Sequence, residues 1–219
     1  MATLDVAQYA TADRGGSANA QALLNLNRAG ALVVVDWYTQ AVLDGHGFQT
    51  RMGTITTPIV GDVAITDTAA EYCFDVSTSA FVMIPIYNNV SVRAGTGTAH
   101  EIAIKSVATV SSAVTAIVPL PMLNTGAAAA SYGLSSRGAT AGGVTVTAEL
   151  VTTTLRHWSY SQQAVFTTGQ VIIPDWQPLR PPVLVGARCL YVQIAAATTG
   201  PSYYASMDVL GFTAAQIGL

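Results

Sequence analysis

Apolar and polar residues alternate over 144–150: Val144, Val146, Ala148 and Leu150 are apolar, whereas Thr145, Thr147 and Glu149 are polar. A period of two places the two sets on opposite faces of a β-strand. The Thr-rich run continues to Tyr160 and predicts a strand over 144–160 with a face that is polar largely without charge. Further β-branched and aromatic runs at 32–38, 62–66, 72–76, 81–93, 100–110 and 113–120 predict strands, as do 170–173, 183–185, 189–195 and 203–212. Clusters of Gly, Asn, Asp and Ser separate them, including a turn at 44–47. Pro85 makes 81–93 an edge strand, a bent strand or two shorter ones.

One segment reads differently. Ser17 is a plausible N-cap for the helix-forming residues 18–28, and Gly30 follows as a stop. The low-complexity stretch 125–143 predicts a helical turn followed by an excursion loop, and the prolines of 174–182 predict an extended connection largely outside the ladders. The expected fold is all-β: an antiparallel β-sandwich with jelly roll as the leading version, one short N-terminal helix, and extended arms at 1–16 and 211–219. No internal repeat or clear linker divides the chain, so residues 1–30 form the arm and helix and 31–219 a single sandwich domain.

Composition changes what this sandwich is expected to do. Only 10% of the 219 residues are charged and 51% are hydrophobic, with a mean hydropathy of +0.43. Soluble domains typically carry roughly a quarter of their residues as charges. No run approaches the roughly 20 apolar residues of a membrane helix. A weakly charged coat of Ala, Thr, Ser, Gly and Val suits a protein buried against copies of itself. Strand edges are usually protected by charge, so scarce charge also implies covered edges.

The net charge is −3 and no Lys/Arg cluster occurs. Direct nucleic-acid binding, which needs several clustered cations, is therefore not expected. The first residues show no basic and apolar leader pattern, which points to synthesis in a cytoplasm. Cys73 and Cys189 sit in apolar strand runs, without CxxC or zinc-finger spacing, and are expected as buried thiols.

No residue is assigned a catalytic, cofactor-binding or metal-binding role, and no cofactor is expected. His46 lies in a glycine turn, His100 follows Gly95 and Gly97 without a complete dinucleotide fingerprint, and His157 sits between Arg156 and Trp158. Asp62, Asp67 and Glu71 are the densest acidic stretch, read as solvated turn carboxylates in the absence of a calcium-loop signature. Gly133 to Gly138 has one residue too many for a nucleophile elbow, and Asn89 opens a chance glycosylation sequon. Trp37, Tyr38, Trp158, Tyr160, Trp176, Tyr203 and Tyr204 are either core and interface anchors or sugar-stacking platforms.

The Ala/Thr/Val/Gly-rich strands, the weakly charged arm before a short helix and the closing stretch 197–210 together resemble virion structural proteins of bacteriophages and icosahedral viruses. The resemblance implies a non-enzymatic jelly-roll subunit, made in the host cytoplasm, that joins copies of itself as trimers or higher rings into or onto a capsid or tail, with other virion proteins as partners. The alternative is a host-receptor or carbohydrate-binding module of a tail or fibre.

Overall fold

The computed structural model describes residues 36–54, 56–65, 68–94, 100–113, 116–138, 144–146, 154–160, 174–196 and 200–218. The predicted helix at 18–28, the arm at 1–16 and the strand at 170–173 lie outside the described residues, as does most of 139–153.

The first described element is a helix, α1 (Trp37–Leu43). This corrects the strand expected over 32–38, at least at its end. Asp36 decides the matter: its Oδ1 accepts the N–H groups of Tyr38 and Thr39 at 3.1 and 2.9 Å, and its Oδ2 accepts the Thr39 hydroxyl at 2.6 Å. An aspartate N-cap satisfies donors that a helix start leaves open, and here it overrides the β preference of Trp37 and Tyr38.

Among the described residues the strands follow in chain order. The first five are β1 (Gly47–Met52), β2 (Ile59–Val60), β3 (Ala69–Ala70), β4 (Tyr72–Val76) and β5 (Phe81–Ala94). Next come β6 (His100–Val107), β7 (Ala116–Ile117), β8 (Leu120–Pro121), β9 (Leu134–Gly138) and β10 (Val144–Thr145). The last are β11 (Thr154–Tyr160), β12 (Asp175–Trp176), β13 (Leu184–Val185), β14 (Arg188–Ala196) and β15 (Ser202–Thr213).

Two antiparallel sheets pack as a sandwich. One runs β12-β5-β15-β1-β8, with β13 also pairing β5 and β2 pairing β15; the other runs β11-β6-β14-β4-β9-β7. Alternation supplies the core between them. Phe48, Met52, Met83, Val90, Tyr203, Met207 and Val209 come from the first sheet, and Tyr72, Phe74, Ile102, Ile104, Leu190, Val192 and Ile194 from the second. The short β3–β10 ladder accompanies a second cluster on the other side of β4 and β14, formed by Ala70, Cys73, Val107, Val144, Val146, Cys189 and Tyr191.

Pro85 neither ends β5 nor leaves it on an edge. The strand pairs β15 on one side and β12 and β13 on the other, and its register slips where Asp208 faces Tyr87 but Val209 faces Pro85. Ile86 is the extra residue of this bulge. It switches the inward set from Met83 to Asn88, Val90 and Val92, a change of parity that a bulge permits and a regular strand does not.

The expected C-terminal arm is also corrected. Gly211, Phe212 and Thr213 belong to β15, and a 3-10 turn at Ala214–Ile217 follows it. Gln216 Oε1 accepts the Thr213 N–H at 2.8 Å, and Ala80 O accepts the Ala214 N–H at 2.8 Å, which ties the segment to the sandwich. Among the described residues, the strand expected at 62–66 shows only an isolated bridge between Asp62 and Ala195, and that expected at 113–120 only the short pairings of β7 and β8. β1 and β9, like the two-residue strands β2, β3 and β12, were not anticipated.

Candidate functional site

The outer face of the β5-β15-β1 sheet carries a polar network. Strand register aligns Arg51, Ser206, Asn89 and Asp175 across four strands, and Gln49, Asp208 and Tyr87 in the next row. Arg51 Nε donates to Gln49 Oε1 at 2.6 Å, and Gln49 Nε2 donates to Asp208 Oδ1 at 2.7 Å. Burial raises the Asp208 carboxyl above its ordinary range, while the Gln49 bond and the Arg51 charge oppose the shift.

Two grooves of about 480 Å³ open on this face. The first is shallow and lies between Arg51 and Arg93, with Tyr204, Asn89, Ser91 and Ser206 along it. Arg93 stands over the Tyr204 ring, its guanidinium carbon 5.5 Å from the centroid, which is a cation–π distance. The second groove brings Trp37, Tyr38 and Asp36 of the helix region to Tyr87, Leu179 and Asp208.

Asp36 and Asp208 share that second groove with their acidities pushed apart. Asp36 is held below the usual carboxylate range, chiefly by the Thr39 hydroxyl bond, whereas Asp208 is raised by burial. Opposed carboxyls in a cleft are the raw material of acid–base hydrolysis. Each is nevertheless engaged locally: both oxygens of Asp36 cap α1, and Asp208 accepts from Gln49. Local structure accounts for both residues.

The three histidines selected from sequence do not converge. His46 is half-buried, its Nδ1 3.0 Å from Gly211 O and its ring against Phe212 and Tyr132, so it anchors the turn before β1. His100 is buried at the start of β6, where burial lowers its pKa, and His157 is exposed on the edge strand β11. The aromatic residues scatter likewise. Tyr203 is in the core, Trp158 and Trp176 pack against it, Tyr204 lies in the first groove and Trp37 stands 56% exposed at the second.

The acidic stretch is not a set of solvated turn carboxylates. Glu71 is buried, its two oxygens accepting the N–H groups of Ile194 at 2.7 Å and Asp62 at 3.3 Å. Burial pushes its pKa up to about 8. A carboxyl held neutral near pH 7 is a poor calcium ligand. Asp67 lies outside the described residues.

Cys73 and Cys189 are buried free thiols, as expected. Not anticipated was their convergence with Asp75: one ligand atom from each of the three residues lies within 4.8 Å of the others. The spacing from Cys73 to Asp75 could have signalled a shared strand face, but the partner strand was not identifiable from sequence.

Exposed apolar side chains stand at the sheet margins. Val118 is 80% exposed just before the edge strand β8 and Leu120 58% exposed within it, while Leu179 is fully exposed and Val183 52% exposed near β12 and β13 at the opposite side. Among the described residues, no helix is long and apolar enough to cross a membrane. The chain matches no protein-family profile, and no curated protein is significantly similar to it.

Proposed function

We propose that this chain is a structural subunit whose activity is self-association, in or on a capsid shell. The carrying observation is the pair of exposed apolar margins, Val118 and Leu120 on one side of the sheet and Leu179 and Val183 on the other. Different patches at opposite sides favour head-to-tail contacts, which close into rings when the rotation permits. Burial at roughly 25 cal/mol per Å² of apolar area opposes the entropy of association, and the scarcity of charge lowers the desolvation cost of joining such faces.

Jelly-roll topology is part of the proposal. Successive strands β5 and β6 lie in different sheets, as do β14 and β15, and the pairs nest, β5 with β15 and β6 with β14. That nesting supports a chain wrapped as a folded hairpin. Assignment to a virion rests on the compositional resemblance, and on this reading the chain turns over no substrate and takes other virion proteins as partners.

Light scattering of the purified protein in dilute solution, followed by negative-stain imaging, tests the reading. Trimers, rings or closed shells are expected. A monodisperse 22.7 kDa monomer at micromolar concentration overturns it. The alternative, recognition of a host glycan, is favoured by the Arg51–Tyr204–Arg93 groove, where two cations and an aromatic ring suit an acidic sugar. Retention on sialylated or sulfated glycans that disappears in Tyr204→Ala would move that reading ahead.

A further inference from the structure

Three groups capable of binding a soft metal meet beneath β3 and β10. Cys73 and Asp75 are two residues apart on β4 and share a face, and Cys189 on β14 stands directly across from Asp75. Their ligand atoms are mutually within 4.8 Å, and all three residues are buried. Ser111 adds a donor at the same centre. Its Oγ is 3.2 Å from Cys73 Sγ and 2.6 Å from Asp75 Oδ2, while its N–H donates to Asp75 Oδ1 at 2.9 Å. Arg137, on β9, lies at the margin with Nε 3.8 Å from Asp75 Oδ2.

We propose that Cys73, Cys189 and Asp75 form a structural site for a thiophilic divalent cation, zinc in particular, with Ser111 as the neighbouring oxygen. The donor set of two sulfurs and a carboxylate matches zinc rather than calcium or magnesium. Zinc–sulfur bonds of about 2.3 Å place two tetrahedral sulfurs about 3.8 Å apart, so the sulfur–sulfur separation, within 4.8 Å, needs to contract by no more than about 1 Å. The apolar cover of Ala70, Val107, Val144 and Val146 gives the closed surroundings of a structural site.

When the site fills, the two cysteines bind as thiolates and two protons leave to solvent. The Arg137 guanidinium lies at the margin of these negative donors. Among the described residues, the Arg137 Nε has no hydrogen-bond partner and lies 3.8 Å from Asp75 Oδ2.

A disulfide fits the same two cysteines less well. Cys189 faces Asp75 and Cys73 faces Tyr191, so the cysteines are diagonal neighbours. Diagonal positions lie about 7–8 Å apart across an antiparallel pair, beyond the usual Cα separation of a disulfide, whereas a bridging cation spans the gap.

The test uses the full chain, purified under reducing conditions without chelator. About one zinc per chain is expected by elemental analysis. After exchange, cobalt(II) should saturate at one equivalent, with tetrahedral visible bands and a thiolate-to-cobalt charge-transfer band. Cys73→Ala combined with Cys189→Ala should abolish that band and the bound zinc. Should the double variant fail to fold, the thiolate band and stoichiometry of the wild-type protein decide. A folded, reduced wild-type protein that takes up neither metal at micromolar concentration overturns the proposal. So does a cobalt spectrum without the thiolate band, or an intact mass two hydrogens short that reports a disulfide.

Discussion

Glu71 Oε2 accepts the backbone N–H of Ile194 at 2.7 Å from a position that is almost wholly enclosed. The carboxyl clamps the Gly61–Asp62 corner to β14, since its other oxygen faces the Asp62 N–H. Two donors favour its ionised form, but loss of hydration is the larger effect and the nearby Asp62 charge adds to it, so the pKa rises from 4.5 to about 8.

This shift sets a pH dependence. Below about pH 4.5 both the folded and unfolded states hold the proton. Between there and about pH 8 the unfolded chain has released it and the folded one has not, so the folded state binds more protons and stability falls as pH rises. Above about pH 8 the loss levels off. Its full size is on the order of 3–5 kcal/mol. Glu71→Gln removes this titration, so the stability of the variant relative to wild type should climb from pH 5 to pH 8 in urea melts. A flat difference across that range contradicts the buried-carboxyl account.

Two stacked tyrosines near this carboxyl should respond oppositely to loss of their hydroxyls. Asn88 Nδ2 donates to the Tyr72 hydroxyl at 2.8 Å inside the core, whereas the buried Tyr203 hydroxyl has no hydrogen-bond partner among the described residues. Tyr72→Phe strands the Asn88 donor and should cost about 1–3 kcal/mol. Tyr203→Phe removes an unsatisfied polar atom and should be neutral or stabilising. Equal losses for the two variants, measured by chemical denaturation, would contradict this assignment of partners.

Much of the sandwich is readable in the chain because its central strands are long and their turns are marked. β4 falls on its predicted residues, and β5, β6, β14 and β15 nearly so, each with an apolar run that buries one or both faces. β1 escaped because Gly47 at its start and polar Thr50 on its inward face dilute its alternation, and its inward residues Phe48, Thr50 and Met52 gain meaning only beside β15. β9 escaped because Leu134, Ser136 and Gly138 carry little β signal until β4 supplies their ladder. The Cys73–Asp75–Cys189 cluster depends on register between strands more than 100 positions apart in the chain, which single-chain periodicity does not encode.

Gly61 and Gly200 mark a place where two backbone segments touch. A Cβ on Gly200 would lie 1.5 Å from Gly61 O, and one on Gly61 would lie 2.5 Å from Ile194 O. Backbone atoms form both obstacles, so relief requires the Gly61–Asp62 corner to leave β14 and surrender its bonds to Ile194 and Pro201. Gly200→Ala should therefore cost about 3 kcal/mol or more. Gly186→Ala is a control in open space, although its positive φ of 90° carries a smaller strain of its own. Similar melting temperatures for the two variants would exclude a tight contact at this corner.

If opposite margins of the β5-β15-β1 sheet join copies of the chain, a charge at either margin should weaken assembly without weakening the subunit. Leu179 is fully exposed and Val118 80% exposed, so neither contributes core burial, and surface substitutions of this kind change folding stability by about 0.5 kcal/mol or less. In a head-to-tail contact, Leu179→Asp and Val118→Asp damage complementary halves of one interface. Each variant alone should dissociate oligomers into folded monomers, and a mixture of the two should recover at most isolated dimers through the one intact pairing, never rings. In a two-fold contact built from a single margin, only one of the substitutions disrupts assembly. Sedimentation velocity of each variant and of the mixture distinguishes the geometries, and oligomers unchanged in both variants would remove these margins from the interface.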